Sequence, residues 1–207
     1  MKVILVNGSP NKAGCTNRAL EEVKNELIKQ GVEAEIFWIG KQTHGCMSCA
    51  SCRKTGKCIY DDAVNEFAER AKTADGFVFG SPVYYANIAG GMAGFMDRLF
   101  YSAGKNLVDK PAAAVVTCRR EGATEAFSRL NKYFTINNMP VVSANYWCQV
   151  HGANNTPSDV EKDEEGLQIM RTLAVNMAWL LKCIEAGRAQ GIPMPQREDK
   201  IYTNYIR

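Results

Sequence analysis

Cys46, Cys49, Cys52 and Cys58 form the sharpest chemical motif of the chain: three thiols spaced by three residues, then a fourth after a gap of five. Three thiolates at that spacing can wrap one face of a four-iron cubane. Ile59 rather than proline follows Cys58, so the fourth thiol can close the same cluster. Zinc also accepts four thiolates, although structural zinc sites pair their cysteines across a longer knuckle. A redox disulfide or a set of inert thiols would fit the same spacing. The remaining cysteines, Cys15, Cys118, Cys148 and Cys183, are scattered singly. A local cluster of this kind in a chain without an export signal points to metal or redox chemistry rather than to staples.

Two further stretches carry polar chemistry. Asn7-Gly8-Ser9-Pro10-Asn11-Lys12-Ala13-Gly14-Cys15-Thr16-Asn17 is a run of small polar residues between a strand-like and a helix-like segment. Backbone amides at such a junction point outward, and the helix dipole favours an anion such as a phosphate. Cys15-Thr16 follows Gly14 where a Walker A loop has Lys and then Ser or Thr, and the G-x-G-x-x-G spacing is absent. An ordinary turn with Thr16 as helix cap is the competing reading; the length of the polar run favours the phosphate site. Ser81-Pro82-Val83-Tyr84-Tyr85-Ala86-Asn87-Ile88 sets two adjacent aromatics behind a proline. They could flank a flat heterocycle or cap the core.

The hydrophobic periods predict the elements that hold these loops. Strands are expected over 2–7, 33–39, 76–80, 112–118 and 140–148, and helices over 16–30, 63–74, 89–103, 123–134 and 160–189. Leu20, Val23, Leu27 and Ile28 share a face of the first helix, and Met92, Phe95, Met96, Leu99 and Phe100 a face of the third. Five strands alternating with five helices predict an α/β fold, a doubly wound five-stranded parallel sheet with helices on both faces. One domain over 1–207 is expected, with a cysteine-rich loop at 40–60 and a C-terminal helix and tail at 160–207. Ligands of such sheets sit outside the carboxyl ends of the strands, where strand order reverses.

The Gly8-Ser9-Pro10 loop ending in Thr16, taken with Ser81-Pro82-Val83-Tyr84-Tyr85 and a helix ending Phe95-Met96-Asp97-Arg98, resembles the flavodoxin-like NADPH-dependent FMN reductases. The resemblance covers roughly residues 1 to 155. It implies FMN as prosthetic group, with the phosphate on Ser9, Asn11, Cys15, Thr16 and Asn17. The isoalloxazine would then lie against Pro82, Val83, Tyr84, Tyr85, Ala86 and Asn87. By position, the loop from Thr117 through Arg119, Arg120 and Gly122 borders the other side of the flavin. Gly122 would let backbone approach the ring, and an arginine would offset charge near reduced flavin or catch an NADPH phosphate, unless both arginines are simply solvated. His151 stands at the functional edge of the sheet, and Trp147 would wall the flavin or a subunit interface. Tyr85, Arg120 and His151 are the catalytic candidates. His44 is expected to be exposed, and Trp38 and Trp179 to lie in the core.

The cysteine spacing, with Ile59-Tyr60-Asp61-Asp62 behind it, is similar to that of the iron-sulfur flavoproteins, a branch of the same fold that couples FMN to a [4Fe-4S] cluster. The implied activity is that of an NAD(P)H-dependent flavin oxidoreductase. Hydride would come from nicotinamide, or electrons from a small redox protein, and the cluster would serve as a one-electron exit. A homodimer or homotetramer is implied, with a small-molecule electron acceptor or a redox protein as partner. A non-enzymatic flavodoxin-type carrier is the competing possibility. Many such carriers are strongly acidic, whereas this chain has net charge +3.

That charge, from 25 basic and 22 acidic residues, leaves no electrostatic footprint for nucleic acid. No apolar run approaches the roughly 18 residues of a spanning helix. Met1-Lys2 leads directly into Val3-Ile4-Leu5-Val6, unlike a signal peptide. A cytoplasmic protein without membrane or nucleic-acid partners is therefore expected. No Ser–His–Asp set or carboxylate pair occurs in these loops, which suits hydride transfer better than hydrolysis.

Overall fold

The computed structural model describes residues 1–205. Its strands are Lys2–Asn7 (β1), Glu33–Trp38 (β2), Gly76–Tyr84 (β3), Asn87–Ile88 (β4), Ala112–Cys118 (β5) and Gln149–His151 (β6). Its helices are Cys15–Lys29 (α1), Ser51–Thr55 (α2), Ala63–Arg70 (α3), Gly90–Ala103 (α4), Ala123–Ile136 (α5), Pro157–Val160 (α6) and Glu164–Ala189 (α7). Five strands pair in parallel in the order β2-β1-β3-β5-β6, and β4 folds back antiparallel on β3. The order reverses between β1 and β3, so the loops leaving those two strands diverge and open a crevice at their carboxyl ends.

The period-two alternation of β1 decides which side each residue serves. Ile4 and Val6 enter the cluster beneath α3, α4 and α5, while Val3 and Leu5 enter the one beneath α1 and α7. Phe67 of α3 centres the first cluster, with its ring 5.3 Å from Phe37, 5.5 Å from Phe95 and 5.9 Å from Phe77. Each fully buried large side chain of this kind contributes about 1.5–3 kcal/mol relative to exposure. The sheet end that carries the loops is thus set on a rigid, two-sided core.

Several boundaries differ from the sequence expectation. The fifth strand is not 140–148: Val141 makes a single bridge to Ala112, the chain then leaves the sheet, and pairing resumes at Gln149. Ser143 and Asn145 interrupt the apolar pattern there, and such residues favour local side-chain bonds over a ladder. The last helix starts at Glu164 rather than 160, because Asp163 caps it by accepting from the Gly166 N–H. β3 continues past Gly80 through Pro82; β1 ends opposite Gly80, so the missing N–H of Pro82 breaks no bond to β1. Trp179 is exposed, not core, because Leu173, Ala174, Met177, Ala178 and Leu181 form the stripe that α7 buries. Ile28 is exposed as well. No helix among the described residues is long and apolar enough to cross a membrane.

Candidate functional site

β1 ends at Asn7, which is fully buried, and its side chain ties down the loop that follows. Asn7 Oδ1 accepts from the Ser9 N–H at 3.0 Å, and Nδ2 donates to the Lys12 carbonyl at 3.1 Å and to Asn17 Oδ1 at 3.4 Å. Ser9 Oγ accepts from the Asn11 N–H at 3.1 Å, and Trp38 Nε1 donates to the Ser9 carbonyl at 2.8 Å. Trp38 is therefore half-buried against this loop instead of lying in the core. The Gly8 N–H donates to the Gly80 carbonyl at 2.8 Å, joining the loops after β1 and β3 at their root.

Gly14, not Thr16, is the N-cap of α1; no side chain caps it, and no acidic residue stands in its first turn. The first-turn amides of a helix without a capping side chain are open to an acceptor from outside the helix, and the dipole favours an anion there. Cys15 Sγ donates to the Thr156 carbonyl at 3.4 Å. Burial pushes its thiol up, and the nearby Asp159 adds to this. Thr16 Oγ1 and Thr117 Oγ1 are 2.8 Å apart, both buried. Thr16→Ala strands the Thr117 hydroxyl and is expected to cost about 1–3 kcal/mol. The check is a lower urea midpoint with unchanged slope.

The other wall is the β3–β4 hairpin, in which Val83 pairs with Ile88 and Tyr84 with Asn87. Its two turn residues, Tyr85 and Ala86, have φ of 49° and 56°. A turn that needs two left-handed residues favours Asn-Gly, so Tyr-Ala is held there against a local cost. The consequence is a Tyr85 ring that stands fully exposed. Gly122, at φ +86°, packs under this turn, and a Cβ on it would lie 2.7 Å from Ala86 Cα and 3.0 Å from Val83 Cγ1. The Gly152 N–H donates to the Cys118 carbonyl at 3.0 Å, which brings in the loop after β6.

Ser9, Asn11, Cys15, Thr16 and Asn17 thus gather at the α1 end, Pro82 to Asn87 form the hairpin, and Thr117 and Gly122 connect the two. Arg119 and Arg120 are both exposed. His151 is tied to the α7 cap: Asp163 Oδ2 accepts from its N–H at 2.7 Å and lies 3.3 Å from Nδ1. Trp147 is half-exposed and packs on Tyr146 at 5.0 Å.

The cysteine loop builds a second centre. Cys46, Cys49, Cys52 and Cys58 line one cavity of about 330 Å³ against α4, and all eight cysteines are free thiols. Ser48 and Ala50, at φ 57° and 56°, turn the backbone sharply on either side of Cys49, and α2 carries Cys52. Among the described residues no three His, Cys, Asp or Glu side chains meet as a single ion would need. A cubane takes its thiolates at separate corners, so a thiol-lined cavity is a donor set that fits it.

Arg98 of α4 is buried beneath this loop and donates to Cys58 Sγ, to both oxygens of Asp62, and to the His44 and Tyr60 carbonyls. Burial pushes the Asp62 carboxyl up, but the Arg98 guanidinium and the Val64 amide outweigh it and hold it below the usual range. A carboxyl depressed in the folded state adds stability above its unfolded pKa, near 3.9, and loses that contribution as pH falls through the folded value. Asp62→Asn is therefore expected to flatten the fall in stability below about pH 4, checked by urea unfolding across pH. Sequence reasoning did not single out Asn7, Trp38, Asp62 or Arg98 as site residues. An Asn closing an otherwise apolar strand, and an Arg on the buried face of α4, were the available signals.

The family model for NADPH-dependent FMN reductases matches residues 1–154. An iron-sulfur flavoprotein of Methanocaldococcus jannaschii is 32% identical over 192 residues, covering 89% of this chain and 100% of the relative. A second from the same organism is 33% identical over 187 residues, covering 83% and 92%. Among solved structures, RosB with a bound flavin-phosphate intermediate is similar at TM-score 0.70 and 15% identity, covering 100% of this chain and 94% of that one. An archaeal flavodoxin follows at TM-score 0.58 and 20% identity, covering 88% and 99%. At those identities the structures speak for the fold, a flavodoxin-like sheet, and the sequence matches speak for descent. A loop signature, a hairpin signature and near full-length relatives agree, and the chain belongs to the NADPH-dependent FMN reductase family, in its iron-sulfur flavoprotein branch.

Proposed function

We propose that this protein is an FMN-dependent oxidoreductase that takes electrons from NAD(P)H and passes them on through a [4Fe-4S] cluster held by Cys46, Cys49, Cys52 and Cys58. The observation that carries the reading is the cavity lined by all four thiols against α4, a helix that begins two residues after the exposed Tyr85 hairpin closes. Bound FMN supplies two-electron acceptance and one-electron release, and the cluster supplies a one-electron site.

The chain's own residues bind and orient. The uncapped end of α1, with Ser9, Asn11, Cys15, Thr16 and Asn17, takes the FMN phosphate as a helix-terminus anion site. The hairpin from Pro82 to Asn87 and the Thr117–Gly122 segment would wall the ring, with the exposed Tyr85 free to shield it from water. Arg119 and Arg120 offer exposed positive charge to a dinucleotide phosphate. A homodimer or homotetramer, and a small-molecule acceptor or a redox protein as partner, belong to the same reading.

The test is the visible spectrum of protein purified without oxygen, with its iron and FMN content and its rate of NADH and NADPH oxidation. Flavin bands, a broad brown absorbance and about four irons per chain are expected. Flavin without iron would remove the cluster from the reading, and neither chromophore would remove the whole of it. Exchange of single electrons with a redox protein, without NAD(P)H oxidation, would make the protein a carrier instead.

A further inference from the structure

Arginine has five N–H donors in a rigid fork. Those of Arg98 reach five acceptors, all in the cysteine loop or just beyond it. Nε donates to Cys58 Sγ at 3.1 Å, Nη1 to Asp62 Oδ2 at 2.7 Å and the His44 carbonyl at 3.4 Å, and Nη2 to Asp62 Oδ1 at 2.8 Å and the Tyr60 carbonyl at 3.3 Å. His44 stands before the first cysteine and Asp62 after the last, so one side chain fastens both ends of the loop. The guanidinium also lies over the Tyr60 ring at 4.9 Å, and that ring stacks on His44 at 4.6 Å. Gly94 makes room for the fastening, since a Cβ there would stand 2.7 Å from the His44 carbonyl oxygen. Arg98 itself is 2% exposed, whereas Cys46 and Cys49 are open to solvent. The loop therefore owes its order to this anchor more than to burial of its own residues.

We propose that Arg98 is the positioning residue of the metal centre: it pre-organises the four thiols and, through its N–H to the Cys58 sulfur, raises the reduction potential of the group they hold. The inference rests on the cluster reading above. A cluster gains negative charge on reduction, and a buried cation that also donates a hydrogen bond to a ligand sulfur favours the more negative state. Asp62 offsets part of that charge and fixes the fork in place, which makes the Arg98–Asp62 pair the setting device. Lysine cannot replace it, because a point ammonium with three donors cannot span five acceptors in one plane.

The experiment compares the full chain, purified without oxygen with its FMN, as wild type, Arg98→Lys, Arg98→Met and Asp62→Asn. Iron and FMN per chain, the rate of iron loss to a chelator, and the midpoint potential from an EPR-monitored redox titration are measured. Arg98→Met is expected to keep FMN, to give up iron about 10- to 100-fold more readily, and to show a lower potential in the chains that remain loaded. A tenfold change in the reduction equilibrium reads as about 59 mV for one electron. Arg98→Lys should fall between the two. Should Arg98→Met shed FMN as well, Asp62→Asn decides, because its amide oxygen can still accept from the Val64 N–H and only the fork is loosened. A raised potential, as loss of the offsetting carboxylate requires, supports the setting role, and an unmoved or lowered potential overturns it. Iron-loaded wild type with chelator sensitivity and potential unchanged in Arg98→Met would overturn the Arg98 inference alone. Iron-free wild type would overturn the cluster reading beneath it.

Discussion

Asn7→Leu is expected to weaken FMN binding by about two orders of magnitude or more while leaving the sheet assembled. Leucine has the same branched outline as asparagine, so the buried space stays filled, but every bond that the Asn7 side chain makes to the loop is lost. The Ser9 N–H, the Lys12 carbonyl and Asn17 Oδ1 each lose the same partner. A buried group left without its partner costs about 1–3 kcal/mol, and the three groups together, at about 3–9 kcal/mol, exceed the roughly 2.8 kcal/mol of a hundredfold change in affinity. Some of that cost falls on folding, which thermal melting of the FMN-free protein measures separately. Equilibrium dialysis against FMN gives the rest. A dissociation constant within threefold of wild type would show that the loop is shaped by something other than Asn7.

Cys49→Ser is expected to take the iron content from about four per chain to near zero with FMN content unchanged. Cys49 is exposed and lies at the turn between two left-handed residues, so the serine costs the fold little. The alcohol, however, is a poor replacement for a thiolate toward iron. The cysteine loop packs on α4, and the phosphate loop is held by Asn7 and Trp38, so the two centres lose their cofactors independently. Cys183→Ser, at an exposed position on α7, is the control and should retain its iron. Equal iron in Cys49→Ser and wild type would remove Cys49 from the ligand set. Loss of FMN alongside the iron would instead show that the two loops support one another.

What was legible in the chain follows the range of each interaction. The alternation in Val3-Ile4-Leu5-Val6 and the helical spacing of Met92, Phe95, Met96 and Leu99 are local patterns, and they mark the elements without any knowledge of the fold. The strand at 140–148 misled because an apolar run looks the same whether or not a neighbour is in reach to pair with it; here Pro140 and Val142 bond β5 only at Ala112, and contact with β5 resumes at Cys148. Thr16 looked like a cap by type, yet its hydroxyl goes to Thr117, 101 residues away.

The sequence by itself determined the alternation of strands and helices, the polar run at the end of β1, the thiol spacing and the family resemblance, because each is written in residue types at short separation. Only the tertiary structure decided how the loops lock together. The Arg98–Cys58 contact spans 40 residues and the Asn7 bonds depend on a loop geometry that no pattern announces. Hydrogen bonds of buried polar groups are directional and demand a partner at about 3 Å, and which partner arrives there is settled by packing across the whole sheet.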